Sequence, residues 1–164
     1  MSGHRQVHRA VRAVAAVALL LLAGCGAGGA ADDEVTGTVT VFADPSLTDV
    51  FTGLGQELES EHDGLDVQFD FAPSAALAAR LTDGAAADVF AAAGTDPMDA
   101  VTNNGLVSRA PAVFATDDRS GPLVGYPICT LTDAPNPAGA LAFVQLVRSD
   151  AGRQALTAAG FDLP

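Results

Sequence analysis

Thr38-Val39-Thr40-Val41-Phe42-Ala43-Asp44-Pro45-Ser46-Leu47-Thr48-Asp49-Val50-Phe51 is the stretch on which the fold turns. Its first six residues alternate and are rich in β-branched side chains, the pattern of a strand. At Ser46 the period changes, and Leu47, Val50, Phe51, Leu54 and Leu58 recur at helical spacing. Ser46 with Asp49 three residues on resembles a capping box. The spacing therefore predicts the Ser46 hydroxyl at a helix start, free to receive backbone N–H groups or to serve a ligand.

The same alternation of periods continues downstream. Gly64 ends the first unit, Asp66–Phe71 reads as a second strand, and Ser74 precedes a short helix carrying Leu77 and Leu81. Asp88–Ala92 is a third strand, apolar on both sides, and Asp96-Pro97 predicts a helix with an N-cap and a proline at its first position. Asn103-Asn104-Gly105 stops that helix. Val113–Ala115 and Tyr126–Leu131 read as fourth and fifth strands, separated by the polar stretch Asp117 to Pro122. Asn136-Pro137 then starts a helix bearing Leu141, Val144 and Val147, and Ser149 or Asp150 caps a last helix ending near Gly160. Strand and helix in regular alternation predict an α/β fold, one Rossmann-like lobe with a mainly parallel sheet flanked by helices.

The N-terminus reads as an export signal. Arg5, Arg9 and Arg12 precede an apolar run from Ala13 to Ala23, 11 residues long. That length suits a signal h-region and falls short of the roughly 20 residues needed to span a bilayer. Leu22-Ala23-Gly24-Cys25 resembles a lipobox, which predicts a signal peptide over 1–24 and lipidation at Cys25. Residues 25–37 read as the lipidated cysteine and a flexible tether, and 38–164 as the folded lobe. The expected location is the extracytoplasmic face of the cell membrane, held by lipid.

Charge excludes some partners. All eight basic residues are arginine against 20 acidic residues, and loss of three arginines with the signal would leave a net charge near −15. Such a surface repels nucleic acid and anionic headgroups. An anionic ligand would have to be held by hydroxyls and local dipoles. With Cys25 committed to lipid, Cys129 has no partner and reads first as a buried apolar thiol, second as a cysteine whose partner lay in a segment now missing.

In open α/β sheets, ligands bind beyond the carboxyl ends of the strands, where Ser46 and Ser74 both fall. Each would present a hydroxyl and N–H groups at a helix start, a means of binding oxyanions without formal positive charge. An enzyme is the disfavoured class. His62 lies in a polar stretch, Asp88 and Asp99 read as strand-end and helix-start residues, and no nucleophile elbow, metal spacing or phosphate loop is found.

Three blocks then carry a resemblance: Val41–Thr48, Phe71–Ala78 and Gly84–Ala91, in that order, with an ending from Tyr126-Pro127-Ile128 through Asn136-Pro137 to Gly160-Phe161. Together they resemble the periplasmic molybdate-binding proteins of ABC importers, within the type II solute-binding proteins. The resemblance implies one lobe of that fold and oxyanion binding by Ser46 and Ser74. It also implies molybdate or tungstate as ligand, an ABC permease as partner, a monomer, and no cofactor or bound metal ion. The family's second lobe is expected between about 117 and 123, where only seven residues stand. Two further departures bear on affinity: Asp44 adds a carboxylate close to a dianion, and Pro73 removes an N–H beside Ser74. The alternatives are a binding lobe for another oxyanion such as sulfate, and a shortened relic that transports nothing. Tyr126 matches the returning strand, and the resemblance gives it no ligand role.

Overall fold

A computed structural model describes residues 35–119 and 121–164. The expected signal peptide, Cys25 and most of the tether lie outside the described residues. Five strands form one sheet in the order β2-β1-β3-β5-β4. They are β1 Gly37–Ala43, β2 Leu65–Phe71, β3 Val89–Ala91, β4 Ala112–Asp117 and β5 Val124–Thr130. The helices are α1 Thr48–Glu61, α2 Ser74–Thr82, α3 Thr95–Asn103, α4 Pro137–Arg148 and α5 Asp150–Ala158.

Period-two alternation divides the central strands between two cores. Val39, Val41 and Ala43 of β1 face α1, α4 and α5, whereas Phe42 faces α2 and α3. β3 splits the same way, with Val89 and Ala91 on the first side and Phe90 on the second. A strand covered by helices on both faces must be apolar at every position, which is why β3 reads as a continuous apolar run. Phe51 of α1 anchors the larger core, fully buried, with Phe69, Phe114 and Phe143 ring centroids at 6.5, 5.8 and 5.3 Å. Mixed α/β architecture and helix-flanked sheet agree with the sequence reading.

Strand direction is where the structure adds something. β1 pairs in parallel with β2 and β3, but β5 runs antiparallel to β3 and β4. Parallel crossovers need about a dozen residues or more. Residues 118–123 are too few, so β4 and β5 form a hairpin. A bulge between Val113 and Ala115 lies opposite Pro127, which has no N–H to give the ladder, and it leaves adjacent Phe114 and Ala115 both buried.

Helix starts are mixed. Asn136 caps α4 by accepting the Gly139 N–H at 2.9 Å, with Pro137 first in the helix, and Ser149 caps α5 by accepting the Gly152 N–H at 3.2 Å. The expected capping box at Ser46 does not form. A 3-10 turn, Pro45–Leu47, precedes α1, whose cap position is Leu47 without a side-chain bond. Asp96-Pro97 also lies inside α3 instead of starting it, because Gly94, at φ +90°, takes the cap position. Ser74 is the first residue of α2 and not its cap, a position held by Pro73.

Candidate functional site

Strand register brings the two predicted serines together. Ala43 lies opposite Phe71 on one side and Ala91 on the other, so β1, β2 and β3 end level. Just beyond, the Ala72 N–H donates to the Ala43 carbonyl and the Asp44 N–H donates to the Ala91 carbonyl, at 3.2 and 3.1 Å. The chain leaving β1 and the chain entering α2 are thereby fixed side by side.

Neither serine hydroxyl caps its own helix, because both are engaged by Asp44. Asp44 Oδ1 accepts the Ser46 N–H at 3.1 Å and the Ser46 hydroxyl at 2.8 Å. Asp44 Oδ2 accepts the Ser74 hydroxyl at 2.7 Å. Ser74 is buried, and its oxygen in turn accepts the Ala93 N–H at 2.9 Å from the turn after β3. Tyr126 Oη lies 3.2 Å from Ser46 Oγ. A serine has one hydroxyl hydrogen. With that hydrogen on Asp44, the tyrosine hydroxyl completes the contact as donor, giving a chain from Tyr126 through Ser46 to Asp44.

Asp44 and Tyr126 are the members the sequence reading placed otherwise. Asp44 was expected to oppose an anion, yet it organises both serines. The sequence signal is aspartate two residues before serine, the spacing at which a carboxylate accepts a local N–H in an Asx turn. Tyr126 reaches the site because β5 runs backwards. Its first residues extend past the end of β3, where the Gly94 N–H donates to the Gly125 carbonyl at 2.9 Å. Phe161 and Phe114 flank the ring edge-on, their centroids 5.1 and 6.4 Å away.

The remaining candidates sit elsewhere. Asp88 is buried at the start of β3, where its carboxylate accepts the Thr40 and Asn136 N–H groups at 2.7 and 2.5 Å, so it ties β1 to the start of α4. Asp99 is exposed on α3. Cys129 is buried and free, and burial pushes its thiol up to about 12. Among the described residues no three His, Cys, Asp or Glu side chains gather as a metal site.

Residues 39–120 and 112–162 match the family of bacterial extracellular solute-binding proteins. The chain belongs to that family. The two matched stretches meet at β4 and the hairpin of this solute-binding protein. Molybdate-binding protein ModA of Mycobacterium tuberculosis (strain ATCC 25618 / H37Rv) is 40% identical over 109 residues, 62% of this chain and 42% of that protein. The putative ABC transporter substrate-binding lipoprotein YvgL of Bacillus subtilis (strain 168) is 29% identical over 96 residues, 58% of this chain and 37% of that protein. This chain thus spans less than half the length of these relatives. The periplasmic molybdate-binding protein of Azotobacter vinelandii superposes with a TM-score of 0.70 at 10% identity, over 77% of this chain and 99% of that one. At that identity the likeness concerns the fold.

Proposed function

We propose that this solute-binding protein is the lipid-anchored binding component of an ABC importer for a tetrahedral oxyanion of the molybdate and tungstate class. Ser46 and Ser74 supply the hydroxyl donors, and an ABC permease is the partner. The observation that carries the reading is the convergence of the two serines, 28 positions apart, on one point beyond the level ends of three strands. A relative named for molybdate binding and 40% identical supports the choice of ligand. Hydrogen bonds to a charged group contribute about 1.5–3 kcal/mol each in a closed site and less when bulk water competes. With a hairpin in place of a second lobe, the far side of the anion stays hydrated. Expected affinity is on the order of millimolar, about −4 kcal/mol.

Calorimetric titration with molybdate, tungstate and sulfate tests this. Ser46→Ala with Ser74→Ala should abolish binding, and binding unaffected by that pair would move the site elsewhere. Sulfate outranking both metal oxyanions would favour the second ligand class. A further reading, a lobe that folds but no longer transports, is favoured by the short β4–β5 hairpin. Molybdate uptake restored in cells deprived of their own binding protein would dismiss it. Lipidation at Cys25 predicts that globomycin, or Cys25→Ala, leaves an unprocessed precursor.

A further inference from the structure

The two serines are held alike, by different means. Ser74 Oγ accepts the Ala93 N–H at 2.9 Å and gives its hydrogen to Asp44 Oδ2 at 2.7 Å. Ser46 Oγ gives its hydrogen to Asp44 Oδ1 at 2.8 Å, and the group behind it, 3.2 Å away, is the Tyr126 hydroxyl. A donor behind a serine oxygen occupies a lone pair and leaves the one hydrogen to point forward. For buried Ser74 that donor is backbone, whereas for exposed Ser46 it is a side chain.

That side chain is fixed in place. The Gly94 N–H donates to the Gly125 carbonyl at 2.9 Å and the Ala92 N–H to the Pro127 carbonyl at 3.0 Å, so the backbone on either side of Tyr126 is tied to the turn after β3. Its ring packs edge-on between Phe161 and Phe114, and the residue is 5% exposed. We propose that Tyr126 is a positioning residue of the oxyanion site, its hydroxyl donating to Ser46 Oγ so that the Ser46 hydrogen is presented to the anion instead of turning among solvent acceptors. The inference rests on the assignment of the site to Ser46 and Ser74. An incoming oxyanion competes with Asp44 Oδ1 for a hydrogen already aimed into the site, and an exposed hydroxyl ordered beforehand loses less freedom on binding. A serine oxygen that accepts a bond also donates more strongly, since linked hydrogen bonds polarise one another. Tyr126 thus does for Ser46 what the Ala93 N–H does for Ser74.

The chain has one tyrosine and no tryptophan, so its tyrosine absorption band belongs to Tyr126 alone. Tungstate titrated into the purified protein should move that band saturably, with the Kd found by calorimetry, because the bond from Tyr126 strengthens when Ser46 meets an anion. Ser46→Ala should shift the band before any tungstate is added and remove the response to it. Tyr126→Phe keeps the ring and should weaken calorimetric tungstate binding by about threefold to tenfold, the share of one neutral hydrogen bond. The band measurement stands even if Tyr126→Phe unfolds the lobe. Equal Kd values for Tyr126→Phe and the unmodified protein, or a band that tungstate leaves unmoved at saturation, would overturn the proposal. If binding is nonetheless lost in the double serine variant, the site stands and only the role of Tyr126 falls. Tungstate binding that survives the double serine variant, or none in the unmodified protein, removes the site and the proposal together.

Discussion

Ser74 and Asp44, thirty positions apart, meet hydroxyl to carboxylate at 2.7 Å, and the same serine oxygen holds the Ala93 N–H at 2.9 Å. Ser74→Ala therefore removes one partner from each of two polar groups in a part-buried place. Unsatisfied groups of that kind cost about 1–3 kcal/mol. Ser46 is exposed, and water replaces its hydroxyl on Asp44. We expect Ser74→Ala to lower the urea midpoint by the larger amount, roughly 1–2 kcal/mol with an unchanged m-value, and Ser46→Ala by well under half of that. Equal losses would mean that the two hydroxyls are not distinguished by burial.

Asp88 offers a stronger structural test away from the site. Its carboxylate takes the Thr40 N–H of β1 and the Asn136 N–H just before α4, and the residue is 1% exposed. Asp88→Ala strands two backbone donors in a part-buried place. A loss of roughly 2–4 kcal/mol is expected. Asp88→Asn, which can keep one of the two bonds, should recover part of it. Unfolding curves that superpose for Asp88→Ala and the unmodified protein would contradict this account.

Local chemistry was legible in the sequence, and long-range geometry was not. Period changes located all five strands, and the Asn136 and Ser149 caps fell where short polar side chains precede helices. The three failed starts have a common cause, in that something else held the side chain or the cap position. Asp44 drew off Ser46 and Ser74, and Gly94, with its positive φ, turned the chain before Asp96 was reached. Reversal of β5 was implicit in the seven residues from Asp117 to Leu123, since no crossover fits there. That reversal is what carries Tyr126 to Ser46, and the contact spans 80 positions that no local pattern encodes.

Cys129 should behave as an inert core atom. Burial raises its thiol to about 12, opposed only by a hydrogen bond with the Phe90 backbone. A raised thiol pKa contributes stability that is present below the unfolded value, about 8.5, and lost as pH rises toward the folded one. At pH 8 the folded protein, with Cys25 substituted, should resist dithiobis-nitrobenzoate, and labelling should appear only as urea unfolds it. Stoichiometric labelling within minutes in buffer would show that the thiol is open to solvent.

The hairpin that joins β4 to β5 is held by Arg119, and that hold should weaken in acid. Arg119 donates its N–H and Nε to Asp117 Oδ1 at 2.8 and 2.9 Å, Nη2 to Oδ2 at 2.9 Å and Nη1 to the Ala159 carbonyl at 3.1 Å. Its guanidinium also lies 5.2 Å over the Phe161 ring. Beside it Thr116 and Asp162 exchange both backbone hydrogen bonds, at 2.8 and 2.9 Å, so the turn is tied to the C-terminal segment. The Arg119 side-chain bond holds the Asp117 carboxyl below its ordinary value. A depressed carboxylate contributes stability above the unfolded pKa, about 3.9, that is lost as pH falls through the folded one. Arg119→Ala should therefore lower Tm modestly at pH 7, since exposed pairs contribute little. Near pH 3 the gap to the unmodified protein should shrink to the part carried by Ala159 and Phe161. Arg119→Lys keeps the charge without the planar fork and should recover less than half of the loss at pH 7. A gap of equal size at both pH values would assign the whole effect to the carbonyl and the ring, and leave the Asp117 pair without a share in closing the hairpin.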